Sequence, residues 1–343
     1  MKAAVIRSFG NPDVIKLEEM APPEVKAGQV LIKVKAALVN RLDHYIRLGE
    51  IVRNLAFPHV IGMDAVGDVA EIGAGVSQFR VGDRVIAMPG YPTDPAENKV
   101  RPATIAGSYS FRGLQLQGSY AQYIVAPQEW VLADTTGLPQ EQIGSLPVPL
   151  LTAIRAVQIS GEVKSGDCVL VHAGGSSTGV MCIQVARALG ARVATTVRSN
   201  ESAEMAESAG AELIINTRNE DFGQSVKNWT GSRGVDVAID CLGGDGFAQT
   251  IEAVKTQGII VAMGFMAGTE VKFDIRNFFF AQKQIRGCLM ADIEDFSAWL
   301  APIKDGKIRA IVDSTLPLSE AAEAHRRIAA NTAKGSIVLM PWL

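Results

Sequence analysis

Short apolar runs alternate with segments of helical spacing in the second half of the chain. The first apolar run, Cys168–Val171, leads into a burst of glycine, serine and threonine. Apolar residues then recur at helical spacing from Val180 to Leu189, and the pattern stops at Gly190. This stretch predicts a strand, a glycine-rich turn and a helix, in that order.

The same alternation continues along the chain. A helix is predicted over Leu151–Ile159 before the first strand. Further strands are predicted over Arg192–Val197, Glu212–Ile215, Val235–Asp240, Ile259–Met263 and Ile285–Met290, and helices over Glu201–Ala209, Phe222–Trp229 and Phe247–Lys255. Because Val- and Ile-rich strands separated by helices form parallel sheets covered on both faces, this half is predicted to be a doubly wound α/β domain.

The first 130 residues carry strand signals and few helices. Strands are predicted over Lys2–Ile6, Val30–Ala37, Ala65–Ile72, Arg84–Ala87 and Ala121–Val125. Glycine-rich turns separate them, which favours a compact β-barrel-like domain.

The last fifty residues return to a mixed pattern. It predicts a helix over Ile293–Lys304, a strand near Ile311, a helix over Ser319–Ala330 and a strand over Ser336–Leu339. We expect these elements to complete the first domain. That domain then comprises residues 1–148 and 291–343, and residues 149–290 form the second.

Composition excludes several classes of protein. The chain has 343 residues with 48% hydrophobic and 20% charged residues, which is ordinary for a globular protein. A net charge of −3 does not suggest a general nucleic-acid or membrane-surface binder. Four cysteines without CxxC spacing predict buried thiols and not a disulfide frame. No secretory signal or membrane span is predicted, so a cytoplasmic location is expected.

The turn after Cys168–Val171 carries candidate chemistry. Its spacing Gly174-x-Ser176-x-x-Gly179 matches the dinucleotide fingerprint at the first and last glycine. Any tight strand-to-helix turn is the alternative, but the position on the first βα unit favours a pyrophosphate site. The predicted cofactor-binding residues of this turn are Gly174, Gly175, Ser176, Ser177, Thr178, Gly179 and Val180. The Ser176 hydroxyl either reaches the pyrophosphate or only caps the helix.

The end of the second strand indicates which dinucleotide is bound. NAD-specific folds place an acid there, but this chain has Arg198 and Ser199. A carboxylate would repel a 2′-phosphate, whereas these two residues would bind one, so NADPH is predicted. The alternative is an exposed arginine and a helix cap at Ser199 or Asn200. After the later strand, the backbone of Gly264 and Phe265 is expected to hold the nicotinamide carboxamide.

Two stretches of the first half are candidates for a substrate site. Residues 39–49 gather Asn40, Asp43, His44 and Tyr45 directly after a strand; the alternative is a surface helix that Asn40 or Asp43 caps. Residues 89–119 form a long loop rich in Pro, Gly and Ser. Its basic residues Lys99, Arg101 and Arg112 either receive an anionic tail of the substrate or are solvated.

Nearly the whole chain resembles the medium-chain dehydrogenase/reductase superfamily, and within it the zinc-free quinone oxidoreductase and zeta-crystallin-like group. The segments that carry the resemblance are MKAAVIRSFGNPDVI, VNRLDHYIRLG, IGMDAVGDVAEIGAGVSQFRVGDRV, GSYAQYIVAP, LPVPLLTAIRAV, HAGGSSTGVMCIQVARALGARV, GVDVAIDCLGG and KGSIVLMP. The resemblance implies a GroES-like catalytic domain joined to a Rossmann cofactor domain. It also implies a homodimer paired along the edge of the cofactor-domain sheet, with Asn277–Phe280 and Ile285–Met290 supplying apolar surface.

Zinc is not expected. Zinc-containing members of the superfamily have Cys, His and Cys where this chain resembles them at Asn40, Met63 and Val148. None of these side chains binds zinc as a thiolate or imidazole does. The loop at 89–119 also lacks the four cysteines of the structural zinc site.

Without zinc, the resemblance implies hydride transfer from NADPH to an electron-poor acceptor, a quinone or an activated α,β-unsaturated carbonyl compound. It implies that Asn40, Asp43 and Tyr45 line the nicotinamide end of the site, with Tyr45 as a hydrogen-bond donor or a packing wall. Further cofactor contacts implied are Thr152, Asn216 and Lys334. Asn216 is followed by Thr217 where the quinone reductases have tyrosine, and Asn331 replaces a basic residue near Lys334.

Two other functions remain open at this point. One is an enoyl-thioester reductase that uses the basic loop to hold a CoA or phosphopantetheine tail. The other is a non-catalytic NADPH-binding protein of the crystallin-like or RNA-binding kind, against which the fingerprint and the polar residues argue.

Overall fold

A computed structural model describes residues 1–343. The chain forms two compact units. One contains residues 1–148, 292–305 and 310–343, and the other contains residues 149–291 and 306–309. None of the helices combines the length and the apolar character that a bilayer span requires.

The secondary structure comprises eighteen strands and eleven α-helices. The strands are β1 (Lys2–Ile6), β2 (Lys16–Glu19), β3 (Gln29–Leu38), β4 (His59–Val60), β5 (Ala65–Ile72), β6 (Arg84–Ala87), β7 (Gly90–Pro92), β8 (Tyr109–Phe111), β9 (Tyr123–Pro127), β10 (Val131–Ala133), β11 (Cys168–Val171), β12 (Arg192–Val197), β13 (Leu213–Asn216), β14 (Val235–Asp240), β15 (Val254–Ala262), β16 (Gln284–Gly287), β17 (Val312–Leu316) and β18 (Ser336–Leu339). The helices are α1 (Arg41–Leu48), α2 (Gln140–Gly144), α3 (Pro147–Ala153), α4 (Ser177–Ala188), α5 (Asn200–Ser208), α6 (Phe222–Trp229), α7 (Phe247–Ala253), α8 (Ile275–Phe280), α9 (Ile293–Ala298), α10 (Leu300–Lys304) and α11 (Ala321–Ala330).

The first unit is built on a seven-stranded sheet. Its strands follow the order β10-β6-β5-β3-β18-β17, and β9 also pairs with β3. The C-terminal strand β18 pairs antiparallel with β3, so the end of the chain belongs to this unit. The long strand β3 ends at Leu38, and α1 follows after two residues. This connection delivers Asn40 and the first turn of α1 to one end of the sheet.

The loop at residues 89–119 has more structure than its sequence predicts. Strands β7 and β8 pair antiparallel within it, with Tyr91 opposite Ser110. The Glu97 carboxylate accepts hydrogen bonds from the backbone N–H and the hydroxyl of Ser108, at 2.7 and 2.6 Å. Three-residue strands are too short for a periodic pattern to reveal them, which is why the prediction of an irregular loop was wrong.

The second unit has the predicted doubly wound sheet. Its six strands are parallel, in the order β13-β12-β11-β14-β15-β16. From β11 the chain runs outward to β12 and β13 and then continues on the other side with β14, β15 and β16. The turn after β11 therefore lies at the switch point between β11 and β14, where such sheets bind ligands. Several bounds are as predicted, including those of β12, β14 and α6.

Other bounds differ from the prediction. The predicted helix over Leu151–Ile159 is instead the end of α3 followed by a π-helical turn over Ile154–Ser160. The helix predicted to reach Lys255 ends at Ala253, because Val254 already pairs with Val235. The predicted helix over Ile293–Lys304 divides at Trp299 into α9 and α10. The strand predicted to reach Met290 ends at Gly287.

Candidate active site

The turn between β11 and α4 is held by its own hydrogen bonds. Ser176 is the N-cap of α4, and its Oγ accepts the N–H of Gly179 at 3.0 Å. The same hydroxyl donates to the carbonyl of Ala173 at 2.8 Å. Both hydrogen-bonding functions of Ser176 are therefore used inside the turn, which supports the capping role over direct contact with a pyrophosphate.

Two glycines of the turn are required by close packing. A Cβ on Gly174 would lie 2.1 Å from Thr195 Oγ1, and a Cβ on Gly179 would lie 2.2 Å from the carbonyl oxygen of Ala173. Residues 175–178 are only partly buried. Because the first N–H groups of a helix lack intrahelical partners, the accessible first turn of α4 suits a pyrophosphate. Val180, by contrast, is buried in the core.

Exposed arginines follow β12 and β13. Arg198, directly after β12, is exposed. Ser199 caps α5 by accepting the N–H of Ser202 at 3.2 Å, as the alternative interpretation expected. Val197 and Asn216 are partners in the parallel register, and Asn216 Oδ1 accepts the N–H of Arg218. Sequence reasoning missed Arg218, a second exposed arginine at the neighbouring strand end.

The residues predicted on the nicotinamide side lie on two elements. Gly264 follows β15, and a Cβ there would lie 2.6 Å from the carbonyl oxygen of Cys241. Phe265 is 44% exposed, which suits a contact residue better than a core residue. Thr152 lies in α3 and is half-buried.

A buried polar network underlies the same end of the sheet. His172 follows β11, and its Nδ1 lies 2.9 Å from Thr196 Oγ1. Its Nε2 lies 2.9 Å from Thr250 Oγ1, which donates to Asp240 Oδ2 at 2.8 Å. Asp240 Oδ1 also accepts the N–H of Gly243. Burial lowers the pKa of His172, so the imidazole is neutral.

In the first unit, Asn40 and Asp43 form the N-terminus of α1. Asn40 is the N-cap, and the two residues form a capping box in which Asp43 Oδ2 accepts the backbone N–H of Asn40 at 2.8 Å. The capping role considered from the sequence is thus present. Asp43 is fully buried, while Asn40 is half-buried.

A second carboxyl group, which sequence reasoning missed, completes this cluster. Asp64 Oδ2 accepts from Asn40 Nδ2 at 2.5 Å, and Asp64 Oδ1 accepts the N–H of Val148 at 2.6 Å. Asp43 Oδ2 also accepts from the hydroxyl of Tyr120 at 2.9 Å. Burial raises the pKa of Asp43 and of Asp64 to about 7, and the charge of Asp43 adds to the effect on Asp64.

Next to this cluster on α1, Arg47 lies between two histidines. Its Nη2 lies 2.9 Å from His44 Nδ1, and its Nε donates to His325 Nδ1 at 3.3 Å. Arg47 has donors only, so both Nδ1 atoms accept and both imidazoles are neutral. Burial lowers the pKa of His44 to about 4 and that of His325 to about 3. Tyr45 is half-buried, with its ring edge-on to His44 at 5.6 Å.

The side chains at the positions that hold zinc in the enzymes that this chain resembles are Asn40, Met63 and Val148. The amide of Asn40 is bound to Asp64, and Met63 is fully buried in the hydrophobic core. Val148 has no side-chain ligand atom. No group of three or more His, Cys, Asp or Glu side chains is arranged to hold a metal ion.

Basic residues of the first unit are mostly engaged. Arg101 pairs with Glu294 and lies over the ring of Trp130 at 5.4 Å. Arg112 is buried, with only the carbonyl of Val125 near its Nη atoms at 3.4 Å. Lys99 and Lys334 are both exposed, and the backbone N–H of Lys334 donates to Asp313.

Comparison with known proteins identifies the family. The alcohol dehydrogenase GroES-like domain matches residues 26–139, and the zinc-binding dehydrogenase domain matches residues 177–305. The 2-haloacrylate reductase of Burkholderia sp is 31% identical over 99% of this chain and 98% of its own length. The quinone oxidoreductase of Homo sapiens is 28% identical over 99% and 98%, respectively.

Solved structures agree. The crystal structure of an NAD-dependent alcohol dehydrogenase has 31% sequence identity and a TM-score of 0.91 and covers 99% of each chain. With a GroES-like unit, a parallel-sheet unit and end-to-end similarity to quinone oxidoreductases, the chain is an oxidoreductase of the medium-chain dehydrogenase/reductase superfamily.

Proposed function

We propose that the enzyme transfers hydride from NADPH to a quinone or an activated α,β-unsaturated carbonyl compound, without zinc. The observation that carries this proposal is the set of side chains at the three positions that hold zinc in the resembling enzymes. These residues are Asn40, whose amide is bound to Asp64, the buried Met63, and Val148. None of them provides a thiolate or imidazole ligand for a metal ion that acts as a Lewis acid. The acceptor must then be electron-poor enough to take hydride with hydrogen-bonding help alone.

The names of the relatives support this class of acceptor. The human relative is a quinone oxidoreductase, and the Burkholderia relative is a reductase of 2-haloacrylate, which contains an activated carbon–carbon double bond. A quinone and an acrylate share one feature: hydride addition at carbon sends the electron pair to a carbonyl or carboxylate oxygen. The residues of the site would therefore stabilise a developing oxyanion in either case.

NADPH, when bound, supplies the hydride. Two exposed arginines, Arg198 and Arg218, follow neighbouring strands, and residues 198–200 after β12 contain no acid. A 2′-phosphate is a doubly charged group that guanidinium binds through charge-assisted hydrogen bonds. This arrangement supports a preference for NADPH, although the similar alcohol dehydrogenase structure is described as NAD-dependent.

The enoyl-thioester alternative has less support. It needs the basic residues of the loop at 89–119 to hold an anionic tail. Arg101 already pairs with Glu294, and Arg112 is buried, which leaves Lys99 as the exposed basic residue of the three. The polar clusters around Asn40 and His172 likewise support a catalytic protein over a purely structural one.

A homodimer is the proposed assembly. Strand β16 is the edge of the parallel sheet, so its outer N–H and C=O groups have no neighbouring strand. Helix α8 next to it has no buried residue, and Ile275, Phe279 and Phe280 are 60%, 65% and 77% exposed. Phe278, in contrast, packs on the core. An exposed apolar patch of this kind beside a free edge supports pairing with a second copy.

The proposed function is tested by measuring NADPH oxidation against quinones, enones and enoyl-CoA thioesters, with metal analysis of the same preparation. We expect turnover with a quinone or an enone and no stoichiometric zinc. Turnover only with enoyl-CoA thioesters would favour the alternative enzyme. Tight NADPH binding without turnover on any acceptor would favour the non-catalytic role.

A further inference from the structure

Asn40 is the only accessible member of a buried polar cluster. Asp43, Asp64 and Tyr120 are each fully buried, whereas Asn40 is half-buried. The cluster comes together from four segments of the chain: the end of β3, the start of α1, the residues before β5 and those before β9. Asn40 is therefore the member of the cluster whose side chain can contact a bound molecule, and the other three can act on that molecule only through Asn40.

Asp64 determines which way this amide faces. Its carboxylate accepts the backbone N–H of Val148 through one oxygen and Asn40 Nδ2 through the other. Both Asp64 oxygens act as acceptors here, so Asn40 turns its NH2 group toward Asp64. The capping box supplies the second constraint, because Asn40 Oδ1 faces the backbone N–H of Asp43.

The two constraints leave one group of the amide unused. Asn40 Nδ2 has two hydrogens, and Asp64 takes one of them. The other remains available, and the hydrogen bond to Asp64 together with the capping box restricts its direction. A donor that is oriented before the substrate arrives loses little entropy on binding and stabilises developing charge more than a mobile donor does.

We propose that Asp64 is a positioning residue that orients the free N–H of Asn40 toward the acceptor oxygen. This inference rests on the proposed function. As hydride adds to the acceptor carbon, the electron pair of the double bond moves to that oxygen, and the Asn40 N–H donates a hydrogen bond to it. The proton that later completes the reduction comes from solvent, and Asn40 and Asp64 keep their own protonation states throughout.

Substitution of Asp64 alone disturbs the orientation of the amide. Asp64→Asn has one oxygen for two donors, so its own NH2 must face either the Val148 N–H or Asn40 Nδ2. We expect kcat to fall by about 10- to 100-fold, less than the ~10²- to 10³-fold typical when an oxyanion donor is removed outright. The KM for NADPH should stay unchanged, because the turn between β11 and α4, which we expect to bind the cofactor, lies in the other unit of the chain.

The reciprocal swap Asn40→Asp with Asp64→Asn separates positioning from stability. In the swapped pair, the amide introduced at position 64 would donate to the carboxylate introduced at position 40 and still accept from Val148. That carboxylate would still cap α1, because Asp is as good an N-cap as Asn. The internal hydrogen bonds are then all restored, but the outward group is an acceptor in place of a donor.

We expect the swap to recover the Tm that the single variant loses and to leave kcat low, with an increased deuterium isotope effect from 4-deuterated NADPH. Recovery of kcat together with Tm would overturn the proposal, since the cluster would then be only structural. An Asp64→Asn variant with wild-type kcat would overturn it as well. If the wild type reduces no acceptor at all, the proposed function fails instead, and that result is obtained before any variant is made.

Discussion

The hydroxyl of Thr250 links His172 to Asp240. Thr250 Oγ1 lies 2.9 Å from His172 Nε2 and 2.8 Å from Asp240 Oδ2, while the imidazole and the carboxylate are 3.8 Å apart. Thr250 Oγ1 donates its one proton to Asp240 Oδ2, so it accepts from His172. The proton of His172 is therefore on Nε2, and Nδ1 accepts from Thr196. This chain of hydrogen bonds joins the ends of β11, β12 and β14, next to the turn between β11 and α4.

Removing the Thr250 hydroxyl should destabilise the protein. Thr250→Val keeps the shape but leaves His172 Nε2–H and one oxygen of Asp240 without their partner. Leaving a buried polar group unsatisfied costs about 1–3 kcal/mol, so we expect a loss of that size in the free energy of unfolding, measured by urea titration. Thr250→Ser is the matched control, which keeps the hydroxyl and should lose less. Equal stability of the valine variant and the wild type would show that the bridging hydroxyl contributes nothing to stability.

Cofactor preference should depend on the end of β12. Arg198→Ala should weaken NADPH by about 10- to 100-fold in kcat/KM, because a charged hydrogen bond is worth ~1.5–3 kcal/mol. NADH, which lacks the 2′-phosphate, should be affected little. Arg192→Ala is the control, since it removes the same charge from the opposite end of the same strand, where Arg192 pairs with Glu212. If both variants changed NADPH and NADH kinetics alike, the phosphate site would lie elsewhere.

His325 should give the protein an acid-sensitive component of stability. Burial and the charge of Arg47 lower its pKa from 6.5 to about 3 in the folded protein. A histidine of this kind contributes stability above pH 6.5 that is lost as the pH falls through the folded pKa. His325→Asn keeps an acceptor for Arg47 and does not titrate.

The free energy of unfolding should therefore depend on pH differently in the two proteins. The wild-type value minus the variant value should decrease by about 1.4 kcal/mol per pH unit from about pH 6.5 to about pH 3, and stay constant below that. Asp43 and Asp64 are present in both proteins, so their opposite effect cancels in the difference. Denaturant unfolding across this range measures it, and parallel curves would show that His325 is protonated in the fold.

The sequence predicted the buried strands well and some junctions poorly. Strands β12 and β14 are almost entirely buried, so their apolar runs have sharp ends. The predicted boundary between α7 and β15 was wrong because Lys255 continues the helical pattern of the sequence. In the fold Lys255 belongs to β15, and its Nζ lies 2.5 Å from Oδ1 of Asp236 on the neighbouring strand β14. A tertiary ion pair of this kind leaves no trace in local periodicity.

The site could be predicted only in part for the same reason. Asn40 and Asp43 stood out because they are polar neighbours after a strand. Asp64 and Tyr120 are 24 and 77 residues away from their partners in the cluster, and each lies in an apolar or small-residue context. Only the folded chain shows that they meet. Their buried hydroxyl and carboxyl groups require partners, and that requirement is a property of tertiary structure.

The free edge of β16 should control assembly. If a second copy pairs there, Phe280→Glu places a charge on the apolar patch of α8, and burying that charge at an interface costs several kcal/mol. We expect sedimentation velocity to show a dimer for the wild type and a monomer for the variant at micromolar concentration. Ile105→Glu is the matched control, because Ile105 is also an exposed aliphatic residue, at 69%, but belongs to the other unit. It should stay dimeric. A dimer that survives Phe280→Glu and Ile285→Lys together would place the interface on another surface.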